Sequence, residues 1–124
     1  MSHVVVWVEH DHAKIFTYTS GAATKKDLKN KHTGSHHTGG HENEKKNNIQ
    51  KFYHEIAEVL AGATEILLVG PGMAKTEFKA HLEHHNHAAL AKLVIGIEAM
   101  DKSTDGEIQN MAKKFFQKYN LFHS

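Results

Sequence analysis

Residues 4–8 and 13–18 are rich in β-branched and aromatic side chains, and the polar tetrapeptide Glu9-His10-Asp11-His12 between them is of hairpin length. They predict two antiparallel strands. Ser20-Gly21 marks the next turn, and residues 22–28 predict a third, more polar strand at an exposed edge. A polar segment follows, residues 29–46, reading KNKHTGSHHTGGHENEKK. Connections in compact chains normally take a few residues, and long structureless ones tend to carry function.

Beyond that segment Ile49, Phe52, Tyr53, Ile56, Ala57 and Leu60 recur at the spacing that puts one apolar stripe on a helix, and Gly62 supplies a C-terminal cap. Residues 65–69 form a short apolar run of the kind that makes a buried strand. Gly70-Pro71-Gly72 breaks it before a helix carrying Ala74, Phe78 and Leu82 at i, i+4, i+8. Residues 93–97 predict another buried strand. Candidate N-caps crowd residues 101–106, ahead of a last helix with the face Ile108, Met111, Ala112, Phe115 and Tyr119. The order is β-β-β-loop-α-β-α-β-α. Strands alternating with helices favour parallel pairing, and the opening strands favour antiparallel pairing, so the expected fold is a single α/β domain with a mixed sheet flanked by helices. Trp7 and Phe16 fall in the first two strands and are expected in the core rather than as platforms for stacking bases.

With 124 residues, 40% of them hydrophobic, the chain can build one core. Its 15 basic and 14 acidic side chains nearly cancel, so a nucleic-acid partner has to be argued from local patches. Lys25, Lys26, Lys29, Lys31, Lys45 and Lys46 bracket the polar segment and outweigh Asp27, Glu42 and Glu44 there, which suits RNA phosphates. The absence of cysteine excludes disulfides and thiolate metal sites, and residues 1–20 lack a basic stretch followed by an apolar one; a cytoplasmic protein is expected. The apolar runs fall far short of the roughly 18 residues of a membrane helix, so no membrane partner is expected.

Gly39-Gly40 excludes regular structure at that point and lets the backbone approach another molecule closely. His41 follows at once, and Glu42 and Glu44 fall near a helix start, where negative charge suits the macrodipole. Lys29-Asn30-Lys31-His32 precedes the glycines, and residues 66–78 later give an apolar strand, the turn Gly70-Pro71-Gly72 and a helix start containing Lys75. In this order of motifs, from about residue 4 to residue 116, the chain resembles the central domain of the archaeal and eukaryotic class 1 release factors and of their relative Pelota. In the release factors a strand leads into a basic loop bearing Gly-Gly-Gln, a long helix follows, and then a strand ends in a Gly-containing turn with a downstream Lys. The resemblance implies the RNase H-like, ribosomal-protein-like topology of that domain, in a stand-alone, bacterial-type version without the flanking domains. It implies contact with the ribosome or tRNA through Lys29, Lys31, His32, Gly39, Gly40, His41, Lys45, Lys46 and Lys75, and no nucleotide cofactor. The release-factor glutamine is replaced here by His41, so the resemblance implies binding, in rescue, hibernation or stress response, rather than peptide release.

Two other classes of function are open to the same residues. His41 can act as a general base near neutral pH, which would make the chain a peptidyl-tRNA hydrolase. His36, His37 and His41, or His81 with His84 or His85 on one helix face, are candidate ligands for zinc or nickel, in a metal-dependent hydrolase or a histidine-rich metal-binding module. Neither HExxH nor HxxEH occurs, and solvated histidines without a cofactor are the expectation. Gly70-Pro71-Gly72 with Lys75 is not a Walker A loop, but a helix start can hold a phosphate. Asp11, Glu98, Asp101 and Asp105 raise a Mg²⁺ nuclease on an RNase H-like sheet; turn and capping chemistry is expected of them instead, with Asp101 and Asp105 as caps of the last helix.

Overall fold

The computed structural model describes residues 2–19, 22–31 and 42–123. Five strands, β1 (His3–Val8), β2 (His12–Thr19), β3 (Ala22–Lys29), β4 (Glu65–Gly70) and β5 (Val94–Ala99), form one sheet in the order β3-β2-β1-β4-β5. Among the described residues there are four helices, α1 (Glu42–Val59), α2 (Ala74–His84), α3 (Ala88–Ala91) and α4 (Asp105–His123). β1 pairs antiparallel with β2 and parallel with β4; β2–β3 is antiparallel and β4–β5 parallel. This is the mixed sheet expected from the sequence, with β3 at one edge. β5, expected to be buried, is the other edge and is only half-buried, since it pairs with β4 alone.

Alternation along the strands divides the core in two, because successive side chains leave opposite faces of a sheet. Val4, Val6, Val8, Ile15, Ile66 and Leu68 pack against Phe52, Tyr53 and Ile56 of α1 and Phe78 and Leu82 of α2. Val5, Trp7, Phe16, Leu67 and Val69 pack against Ile108, Ala112 and Phe116 of α4. Register brings like to like: Val5 lies between Phe16 and Leu67, Val6 between Ile15 and Leu68. Trp7 and Phe16 are both buried, as expected.

Several boundaries differ from expectation. β3 pairs residue by residue with β2 as far as Lys29 opposite His12, and α1 already starts at Glu42. The connection is therefore residues 30–41 rather than 29–46, because an edge strand tolerates lysines on its open side and the Glu-rich segment is helical. Residues 32–41 lie outside the described residues. α3, a single turn of four residues, is too short to show a helical period. The cap of α4 is neither Asp101 nor Asp105. Thr104 and Glu107 form a reciprocal box, with Glu107 N–H donating to Thr104 Oγ1 at 3.2 Å and Thr104 N–H to Glu107 Oε1 at 2.9 Å. The Asp105 carboxylate instead meets Lys14 and Lys25, and the Asp101 carbonyl accepts from Trp7 Nε1 and Ser103 Oγ.

Candidate functional site at the carboxyl end of the sheet

β3 is antiparallel to β2, which is antiparallel to β1, so β3 runs in the same direction as β1, β4 and β5. Their last residues, Lys29, Val8, Gly70 and Ala99, thus share one end of the sheet, the end outside which open α/β sheets bind ligands. The 30–41 connection leaves from that end. Asn30 is buried and ties its start to the β1–β2 turn: its N–H donates to the Asp11 carbonyl at 2.8 Å and its Nδ2 to the His10 carbonyl at 3.1 Å.

The β4–α2 turn closes the other side. Gly70 has φ +140°, and a Cβ there would lie 2.4 Å from the Val8 carbonyl oxygen, so only glycine lets the turn cross the end of β1 this closely. Lys75 Nζ donates to the Gly72 carbonyl at 2.6 Å. Glu77 joins three elements through one oxygen, lying 2.9 Å from His10 Nε2 and accepting the Tyr53 hydroxyl at 3.1 Å. Burial, reinforced by the Glu77 charge, pushes the Tyr53 phenol above its ordinary value. Met73 stands 61% exposed beside this turn.

Of the residues expected to contact RNA, Lys29 and Lys31 are exposed at this end, and Lys75 is half-buried at the start of α2. Lys45 and Lys46 belong to the beginning of α1. His32, Gly39, Gly40 and His41 lie outside the described residues, as do the metal candidates His36 and His37. Asp11 gathers with Glu9 and His12 in the first turn. The His10–Glu77–Tyr53 link has no signal in the sequence, since its members come from three separate segments.

The helical histidines assemble differently from the expected set. His84 and His85 are exposed, and the His85 ring stacks on that of His81 with centroids 4.5 Å apart. The residues that bring one ligand atom each within 4.8 Å of the others are His54, His81 and His87. His54 comes from α1. His87 is turned back by Asn86, whose φ of 66° lets the His87 N–H reach the Leu82 carbonyl at 3.2 Å. Burial pushes the His81 imidazole down to about 4, with charge on His85, His87 and His54 adding to the effect.

No protein-family model matches this sequence, and no curated protein does. Solved structures do match. Pelota from Archaeoglobus fulgidus superposes with a TM-score of 0.64 at 15% identity, over 91% of this chain and 31% of that one. Pelota from Thermoplasma acidophilum gives 0.59 at 18%, over 86% of this chain and 30% of that one. The archaeal translation termination factor aRF1 gives 0.56 at 18%, over 97% and 40% respectively. The fold is Pelota- and aRF1-like, and the chain spans well under half the length of each of these proteins. Among the described residues no helix is long and apolar enough to cross a membrane.

Proposed function

We propose that this domain works in translation, binding the ribosome or tRNA through the carboxyl end of its sheet. The observation that carries the reading is the place of the 30–41 connection in a Pelota- and aRF1-like fold. It joins β3 to α1, where the release factors have their Gly-Gly-Gln loop, and it contains Gly39, Gly40 and His41. Lys29 and Lys31 at its start and Lys45 and Lys46 at the beginning of α1 supply charge for phosphates. Lys75 spends one ammonium hydrogen on the Gly72 carbonyl and keeps two for an RNA phosphate. With His41 in place of glutamine, the role is recognition, in ribosome rescue, hibernation or stress response, rather than peptide release.

Co-sedimentation with ribosomes across a salt series tests this. Association at moderate salt should weaken steeply as salt rises, and Lys29→Glu with Lys31→Glu should reduce it by roughly tenfold or more. Failure to sediment with ribosomes, stalled or empty, sinks the proposal. Peptide release that disappears in His41→Ala would make the chain a hydrolase instead.

A further inference from the structure

His54, His81 and His87 meet where α1 faces α2 and the turn into α3, and their hydrogen bonds define which nitrogens carry protons. His81 Nδ1 faces Gln50 Oε1, an oxygen that only accepts, so Nδ1 is the protonated nitrogen and Nε2 holds a lone pair. That Nε2 is buried, on a residue only 4% exposed, and has no hydrogen-bond partner among the described residues. His54 Nε2 lies 2.8 Å from Glu58 Oε1, one helical turn away, so it donates to the carboxylate and leaves a lone pair on Nδ1. His54 Nδ1 in turn lies 3.1 Å from His87 Nε2.

We propose that His54, His81 and His87 form a three-imidazole site for a divalent transition-metal ion of the zinc class. Zinc–nitrogen bonds of about 2.0–2.1 Å place two ligand nitrogens of a tetrahedral ion roughly 3.3 Å apart. The 3.1 Å between His54 and His87 is already close to that, and the 4.8 Å limit on the whole set is within reach of small side-chain rotations. Glu58 behind His54 and Gln50 behind His81 have the role of outer partners that fix tautomer and ring direction in metal-bound histidines. Three neutral nitrogens without a carboxylate favour zinc, cobalt, nickel or copper over magnesium or calcium. In the metal-free chain His87 can donate to His54, but that leaves the buried His81 Nε2 unsatisfied; an ion satisfies all three at once. The ion would clamp α1 to α2 and leave its fourth position to water. The proposal stands independently of any role in translation.

The test is titration of the chelator-stripped chain with Co²⁺, read by visible absorption and by the thermal midpoint. One equivalent should give a saturating tetrahedral-type spectrum that Zn²⁺ displaces, and either ion should raise the midpoint. His54→Gln and His87→Gln, at partly exposed positions where folding is not at stake, should each weaken binding by roughly tenfold or more, while His84→Gln should leave it unchanged. Replacing His32, His36, His37 and His41 together by Asn should also preserve the signal. A signal that survives in His54→Gln and His87→Gln, one that disappears with the four asparagines, or no binding in excess Co²⁺ each overturns the proposal.

Discussion

Gly70 and Gly96 both look irreplaceable by distance, yet the physical obstacle differs. An added Cβ meets the Val8 backbone oxygen at Gly70 and the tip of the Phe115 ring at Gly96, each at 2.4 Å. Backbone in a paired strand cannot give way, and the φ of +140° adds strain, whereas a partly buried ring can rotate aside. Gly70→Ala should therefore cost more than about 2 kcal/mol in urea unfolding, and Gly96→Ala clearly less. Equal costs would mean that Phe115 is held as rigidly as backbone. Tyr53 offers a second readout. Its phenol is raised above the ordinary value of 10.0, so above about pH 10 the unfolded chain loses a proton that the folded chain keeps. Stability should fall as pH rises beyond that point, and phenolate absorbance of the folded protein should lag behind that of the unfolded chain. Tyr53→Phe should diminish the lag without abolishing it, since burial also raises Tyr18. Neither effect is written in the local sequence: Gly70 reads as a strand breaker and Tyr53 as one more apolar position, and only the neighbours Val8 and Glu77 give them their particular roles.

The long helices were legible because a 3.6-residue period repeats several times in each, and the face predicted for α1 reaches the core. On α4 Ile108 and Ala112 do so, with Met111 and Phe115 partly buried beside them, while Phe116, outside the predicted face, is buried and Tyr119 is not part of the cluster. Their ends were less legible. Four of the residues from 101 to 105, Asp101, Ser103, Thr104 and Asp105, suit an N-cap by type, and the choice of Thr104 depends on Glu107 reaching back to it. Thr104→Ala should lower stability by about 1 kcal/mol. Asp101→Ala keeps the carbonyl that Trp7 and Ser103 use and should leave the content of helix by circular dichroism unchanged. At the end of α2, Asn86 adopts a left-handed conformation that a β-branched residue resists. Asn86→Val should cost about 1–2 kcal/mol and Asn86→Gly little, as judged by thermal unfolding. β3 extends further than its polar composition suggested because β2 supplies hydrogen-bond partners along its full length.

Because the two cores are opposite faces of the same strands, neither layer of helices can leave without exposing a sheet that the other layer also needs. Phe78→Ala, on the α1–α2 side, should cost about 3–5 kcal/mol, and Trp7 fluorescence on the α4 side should report the same shifted midpoint as far-UV circular dichroism. Separated transitions would show that the layers melt independently. The α/β class, the order of elements apart from the one-turn α3, and most residues of the core apart from Phe116 followed from the chain alone, because strand alternation and helical periodicity are local and each segment carries its own pattern. The strand order, the common direction that brings Lys29, Val8, Gly70 and Ala99 to one end, the Glu77 link to His10 and Tyr53, and the meeting of His54 with His81 and His87 came from folding. These are contacts between residues remote in sequence, and they depend on which strands pair, how helices pack and how one asparagine turns the backbone.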